Sequence, residues 1–567
     1  MSLPSKIQTS HFMVYRHNTR KLDLKSSFIV LCLYSARKHF ASFTVMLVGN
    51  ISSLRKKLPF FILLVSSFFL FSFIQRSPVF PDPDSFYHAK MAVLMSKQGV
   101  VQDFPYLPYT VLNDYYTDHH FIYHLLLIPF VTLMPPLIGI KVATVFLGMA
   151  YILTFYFVLN RNHIRGAFWW ALLLLFIPAF IFRLNLAKAP ALALILTFLS
   201  IHAMFQKKYL MLFFLSIFYV LSYGGWIVML ILAMLYNGAR IFTQKISLFF
   251  HNDRARAANQ EKFDWKLLSL VIVGIIVGIL IHPYFPDNLS FYWQQTVQIG
   301  LINYQNKIGV GGEWYSYPIG ELIHDTQPLI IIVLLGLFCF VFRFERQNHK
   351  TWFSVFLLAL FLFAVTKSRR YVEYFVPFSV LFAALSLNQF QSTKDQTNKE
   401  LIPFGKLLTQ ENLFQWMLMF FFIFTFPIQL IKNIRQVRTS FQTGYTMDQF
   451  SGAATWLKQH STKGDIVFHS DWDEFPPLFF YNSHNRYIAG LDPTFLYKAD
   501  PNLHQKFVNI STGQEIDHLY NFIKNDFQAK YVFVDTTHEA FKKNLDQNFH
   551  FTEMYHDEQS TVFKVEE

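Results

Sequence analysis

Three features of the sequence predict a polytopic α-helical membrane protein, with about eleven transmembrane helices, that carries an extracytoplasmic α/β domain at its C-terminus. First, 53% of the 567 residues are hydrophobic and only 15% are charged. Polar groups that scarce cannot cover a soluble body, so most of the chain needs lipid as its solvent. Second, apolar runs recur along most of the length, separated by short basic loops. Third, beyond about Lys432 the composition changes to that of an ordinary globular domain.

Runs long enough, or nearly so, to cross ~30 Å of hydrocarbon lie at 58–75, 137–160, 167–182, 188–205, 209–222, 224–242, 266–282, 328–343, 351–366, 371–387 and 412–431. They make up a transmembrane domain over 58–431. Residues 1–57 are a basic segment whose one apolar stretch, Ser27 to Ala36, is too short to span. Met46 precedes the cluster Arg55-Lys56-Lys57 and the first run, so the natural start is expected at Met46. N-terminal sequencing that found residues upstream of Met46 in the native protein would refute this. No small-residue cleavage site follows the first run, which is therefore expected to stay as an anchor. Cys32 and Cys339 sit in apolar stretches, so neither a disulfide framework nor a zinc site is supported. The formal charge of +13 is scattered through loops rather than clustered on one face, which argues against a nucleic-acid partner.

Orientation settles one ambiguous run, Phe121 to Met134, bounded by His119-His120 and Pro135-Pro136. If it does not cross, the loops at 161–166, 206–208, 240–266, 343–350 and 388–411 share a side with the N-terminus and hold 16 Lys and Arg. The opposite side then has 9 before the terminal domain. Lys and Arg remain cytoplasmic, so 121–134 is read as lying on or re-entering the outer face. The domain at 432–567 is then extracytoplasmic. Within it, helical patterns at 447–460 and 514–528 alternate with β-rich runs at Asp465–Ser470, Arg486–Leu491 and Tyr531–Asp535.

Two outer loops, 76–136 and 283–327, are far longer than a turn needs, and long ordered loops usually serve a site. The first contains Asp82-Pro83-Asp84-Ser85-Phe86-Tyr87-His88-Ala89-Lys90 and then Asp114 and Asp118-His119-His120. Such acids bind a divalent cation or act as a base; equally, Asp84-Ser85 would cap an interfacial helix from Ser85 to about Ser96. The second loop joins a glycine-rich stretch, Gly309-Val310-Gly311-Gly312-Glu313, to Glu321, seven residues before the next span. Glu321 is either functional or a solvated loop residue. Lys367-Ser368-Arg369-Arg370 is a cationic cluster on the cation-poor side. It would meet lipid phosphates or grip the phosphate of a lipid-linked donor. Asp471-Trp472-Asp473-Glu474 closes a strand as a site or as a structural turn.

The order of these features resembles the catalytic subunit of oligosaccharyltransferases, within the membrane glycosyltransferases of the C-type fold. Asp84-Ser85-Phe86-Tyr87-His88-Ala89-Lys90 matches that family's Asp-x-x-Tyr-His/Asn-x-Arg with Lys for Arg. Pro318-Ile319-Gly320-Glu321 fits a (Ser/Thr)-x-x-Glu motif at the Glu, and Arg370-Tyr371-Val372-Glu373-Tyr374 fits Arg-Phe-x-x-Tyr. Asp471-Trp472-Asp473-Glu474-Phe475 keeps Trp472 and Asp473 of Trp-Trp-Asp-Tyr-Gly.

The resemblance implies transfer of a sugar or oligosaccharide from a polyprenyl-phosphate or -pyrophosphate lipid to a protein or envelope-glycan acceptor. The reaction would take place on the outer face of a bacterial or archaeal plasma membrane. Asp84 and Glu321 would act in catalysis and hold manganese or magnesium, with Asp118 and His119 completing the metal set. Arg370, Arg369, Lys367 and Lys188 would meet the donor phosphate. Trp472, Asp473, Tyr87 and His88 would face the acceptor. Arg183-Leu184-Asn185-Leu186-Ala187-Lys188-Ala189-Pro190, however, stands where the family has an acidic pair. Either Asp114, Asp118 or the adjacent histidines replace that pair, or Lys188 takes over the charge role and no metal is used. Without the motif's Tyr and Gly, the resemblance points to the glycosyltransferase class more than to protein N-glycosylation. Two other classes remain beside it, a transporter or channel and a non-catalytic assembly protein for envelope glycans. Acids gathered in outer loops rather than mid-membrane disfavour transport.

Overall fold

A computed structural model describes residues 57–251, 262–344, 347–392 and 426–567. Contacts divide the chain into residues 1–61 and residues 62–567. The expectations for 1–56, and for the run 412–431 as far as residue 425, lie outside the described residues.

The chain is a mostly helical, multi-pass membrane protein with a sheet domain at its C-terminus. Among the described residues, five helices are long and apolar enough to cross a bilayer: Lys57–Gln75, Pro136–Arg161, Ile227–Phe249, His349–Lys367 and Arg369–Phe390. The helices Pro190–Phe205, Tyr209–Ser222 and Trp265–Leu280 fall where runs were expected but have 14 to 16 residues. At 1.5 Å per residue a 16-residue helix reaches ~24 Å, short of the hydrocarbon thickness.

The run at 167–182 is broken, and the run at 328–343 is found as an unbroken helix with a sharp bend just before it, so the crossings do not correspond one to one with eleven straight spans. Ala167–Leu174 and Pro178–Leu184 meet at 77°, and Ile319–Asp325 and Gln327–Phe342 at 91°. Each second helix has proline in its first turn. Proline cannot continue a preceding helix but starts a new one readily.

Residues Phe121–Leu133 form a 13-residue helix packed on Asp84–Gln98 and Pro136–Arg161. Its crossing with the latter is close: a Cβ at Gly139 would stand 2.3 Å from the Phe130 carbonyl oxygen. A helix is found at Asp84–Gln98, where one was expected from Ser85 to about Ser96, but Asp84 does not cap it. Asp82 Oδ1 instead accepts the Asp84 backbone N–H at 2.9 Å, which leaves the Asp84 carboxylate for other work.

Seven strands are described: β1 (Val79–Phe80), β2 (Tyr445–Thr446), β3 (Ile466–His469), β4 (Arg486–Tyr487), β5 (Ala529–Asp535), β6 (Phe551–His556) and β7 (Ser560–Val565). The terminal sheet has the order β4-β3-β5-β7-β6, parallel across β4-β3-β5 and antiparallel beyond. The strands expected near 465, 486 and 531 are β3, β4 and β5.

This domain is bound to the segment 76–136. β1 pairs antiparallel with β2, Met447 N–H donates to the Pro78 carbonyl at 3.1 Å, and Tyr487 N–H donates to the Tyr106 carbonyl at 2.8 Å. Phe86 packs edge-on against Phe480, and Lys90 Nζ donates to the Phe480 carbonyl at 2.9 Å. A cavity of about 600 Å³ lies where this segment, the broken helices and the sheet domain meet.

Candidate active site

After the bend before Pro178, the helix Pro178–Leu184 and the residues following it bring Phe182, Arg183, Leu186 and Lys188 to this cavity. Lys188 Nζ lies 2.7 Å from Asp82 Oδ2 and 2.8 Å from Asp84 Oδ2. Arg183 donates Nε and Nη2 to Glu373 Oε2 at 3.0 and 2.8 Å, and Nη1 to Glu313 Oε2 at 2.7 Å. Arg370 donates Nη1 to Glu313 Oε1 at 3.2 Å and Nη2 to the Tyr223 hydroxyl at 3.0 Å, with its guanidinium 4.9 Å from the Trp314 ring. Glu313 is fixed in turn by Ser368 Oγ, which donates to its carbonyl at 2.7 Å. Three cations thus face four acids, in a Lys188–Asp82–Asp84 group and an Arg183–Arg370–Glu313–Glu373 group that act on each other through the field of Lys188 and Glu313.

The network sets the charge of its members. Burial, with Asp84 and Glu313 adding to it, pushes the Asp82 carboxyl up to about 6 against the pull of Lys188. Burial alone would raise Glu313 too, but Lys188, Arg370 and Arg183 together hold it far below the usual carboxylate range. Burial opposes the Lys188 charge, yet Asp82 and Asp84 keep the ammonium protonated well beyond an ordinary lysine. Asp492, on the sheet-domain wall, is raised by burial to about 6.

A second cavity of about 100 Å³ shares Asp84, Lys188 and Glu313 with the first and adds Tyr87, His88, His119 and Arg370. Arg369, Trp472 and Asp473 line the larger one. Trp472 lies 3.6 Å from the point a Cβ at Gly311 would occupy, and Asp473 accepts from the Tyr445 hydroxyl at 2.6 Å. Three of the residues expected in the site line neither cavity. Glu321 is exposed and ion-paired with Arg369 at 3.0 Å. Lys367 is exposed with its ammonium 5.7 Å from the Phe363 ring. Asp118 is buried against His124 at 2.7 Å.

The structure does not bring the expected metal set together. Among the described residues no group of three or more His, Cys, Asp and Glu has the arrangement of a metal site. The Lys188 ammonium stands between Asp82 and Asp84, Arg369 holds Glu321, and both Asp118 oxygens are engaged by His124 and the His120 N–H. The residues present do not fit a divalent cation.

Sequence reasoning missed Glu313, Arg183, Asp82 and Tyr223. Glu313 stands in the glycine-rich stretch singled out above, but nearness to the next span favoured Glu321. Arg183 opens the stretch that stood out for lacking acids, and Glu373 within Arg369–Phe390 was the visible sign that a buried cation had to face it.

No protein-family model matches the chain, and no curated protein sequence matches it. Solved structures do. The archaeal oligosaccharyltransferase AglB from Archaeoglobus fulgidus, solved with an inhibitory peptide and a dolichol-phosphate, aligns with a TM-score of 0.60 at 12% identity, over 86% of this chain and 70% of that one. The A. fulgidus enzyme has also been solved with Zn and sulfate. ArnT from Cupriavidus metallidurans, bound to undecaprenyl phosphate, aligns at 0.54 and 13% identity over 89% and 97% of the two chains. The arabinofuranosyltransferase AftD from Mycobacteria aligns at 0.51 and 12%, over 89% of this chain but 40% of its own. The chain has the fold of the C-type membrane glycosyltransferases.

Proposed function

We propose that this protein is a membrane glycosyltransferase that moves a sugar from a polyprenyl-phosphate lipid to an acceptor, and that Lys188 supplies the positive charge a divalent cation would otherwise bring. The observation that carries the reading is Lys188 held by Asp82 and Asp84 in a cavity it shares with Arg183 and Arg369. The fold supports the class of reaction, and two proteins that share it, AglB and ArnT, were solved with a dolichol-phosphate and with undecaprenyl phosphate. A cavity of about 600 Å³ is in the range of small-ligand sites, which favours a donor with one or few sugars. The terminal domain, and with it the site, would face outward, as the Lys and Arg distribution requires.

In this reading the acceptor oxygen attacks the anomeric carbon as the bond from that carbon to the phosphate oxygen breaks. The lipid phosphate departs with the electron pair. Arg370 and Lys188 stabilise the charge that develops on it, and their fixed pairing means little reorganisation is needed when it appears. Arg369, at the rim, receives the phosphate first. Trp472 and Asp473 form the wall against which sugar or acceptor rests, an indole face beside a carboxylate.

Mass spectrometry of envelope glycans and glycoproteins from cells with and without the gene tests the proposal. A glycoform should vanish with the gene, return with the wild-type copy and fail to return with K188M. No difference in any glycoform would overturn it in favour of transport or assembly.

A further inference from the structure

We propose that His88 is the catalytic base that accepts the acceptor's proton, and that His124 and Asp118 form a buried relay that orients its ring and carries the proton away. This rests on the transferase reading above.

The polarity of the relay follows from its fixed end. Asp118 is 1% exposed. Its Oδ1 accepts the His120 backbone N–H at 3.0 Å, and its Oδ2 lies 2.7 Å from His124 Nδ1. A carboxylate has no proton to donate, so His124 Nδ1 carries one. In the relay we propose, His124 carries that single proton, so its Nε2 is a lone pair 2.8 Å from His88 Nδ1. In that arrangement His88 donates from Nδ1, which leaves its Nε2 as an unprotonated lone pair.

His88 lines the smaller cavity together with Asp84, Lys188 and Arg370. The same wall carries Thr117, 1% exposed, whose buried hydroxyl has no hydrogen-bond partner among the described residues. Buried hydroxyls are normally satisfied. An acceptor hydroxyl there would meet the Thr117 hydroxyl and the His88 lone pair together. The acids beside Lys188 are already engaged by its ammonium, so they are poorer candidates for the base.

The step balances. As the acceptor oxygen bonds to the anomeric carbon and the phosphate leaves with its electron pair, the hydroxyl proton passes to His88 Nε2. The Nδ1 proton of His88 passes to His124 Nε2, and the Nδ1 proton of His124 to Asp118 Oδ2. Two neutral histidines and one carboxylic acid remain, and no imidazolium is formed in the buried site. Return of the proton through the same chain to the departing phosphate resets it.

The variant D118N tests the relay through a readout a packing role would not move. In that variant the His120 N–H keeps the oxygen of the new side-chain amide in place, so the amide nitrogen faces His124 and donates to its Nδ1. Both histidines must then switch tautomer, and His88 presents an N–H to the cavity. Long-range 1H–15N spectra of the full-length protein, labelled at histidine in lipid nanodiscs, should show Nδ1–H tautomers for His88 and His124 in wild type and Nε2–H tautomers in folded D118N. D118N and H88A should restore on the order of 100-fold less glycoform than wild type. A wild-type His88 protonated at Nε2, or a D118N copy that restores the full glycoform, overturns the relay while leaving the transferase reading intact. A wild-type copy that restores no glycoform removes the transferase reading and the relay with it.

Discussion

Arg370 and Arg369 are neighbours in the chain with opposite circumstances. Arg370 is 19% exposed and joins a network that includes Glu313, Arg183 and Glu373, whereas Arg369 is 42% exposed and, among the described acids, meets only a 53% exposed Glu321. Charges taken out of water are tolerated only when each is matched, and removing one partner leaves the other uncompensated. Exposed pairs are screened and contribute little. One sequence cluster therefore divides into an inner cation whose partners are obligatory and a rim cation whose partner is optional.

The largest test of this division is E313Q, which strips the shared anion from Arg183 and Arg370. A loss of about 3–5 kcal/mol is expected, seen as a lower thermal midpoint of the protein in nanodiscs, together with loss of the glycoform. An unchanged midpoint would show that the inner network is not matched charge by charge.

K188M should follow, with transfer reduced by about 100-fold or more, because a fixed charge at a developing anion is worth several kcal/mol. Chelation of divalent cations should leave wild-type transfer intact. If EDTA abolished transfer and manganese restored it, the role given to Lys188 would fall.

A smaller effect is expected from pH. The Asp82 carboxyl rises from an ordinary value near 3.8 to about 6. Between those values the folded protein binds this proton more tightly than the unfolded chain. Its contribution is thus greatest at low pH and declines as pH rises through about 6. The difference is on the order of 3 kcal/mol. D82N should flatten that part of the stability profile between pH 4 and 7, and an unaltered profile would remove Asp82 as its source. The smallest effect belongs to E321A, expected to change stability by about 1 kcal/mol or less and to leave transfer near wild type. A large loss of transfer would move Glu321 from the rim to the centre of the reaction.

Much of the helical part was legible because long apolar runs need no tertiary information. The run at 209–222 is found as the helix Tyr209–Ser222, and 137–160 differs from Pro136–Arg161 by one residue at each end. The breaks were less visible, since hydropathy continues smoothly across Leu175 to Ile177 while only Pro178 marks the bend. In the sheet domain β6 and β7 went unseen because the connection Asp557-Glu558-Gln559 carries no glycine or asparagine to announce a hairpin. The site was legible in its residue types and its loops but not in its pairings. Arg183 and Glu373 are 190 positions apart, and nothing local tells a carboxylate which distant guanidinium it will face. Lys188 was visible as a charge in place of acids; that it would lie between Asp82 and Asp84 depended on the bend before it.

The short ribbon of β1 and β2 has a consequence in time. Val79 pairs with Thr446, so 367 residues separate the two halves of the clasp. At ~5–20 residues per second of synthesis, roughly 20–70 s pass between the emergence of β1 and that of its partner. During that interval the loop bearing Asp82, Asp84 and His88 lacks the Trp472 side of its cavity. A ribosome that stalls before residue 445 leaves a membrane protein whose cavity is open on that side and whose clasp is unmade.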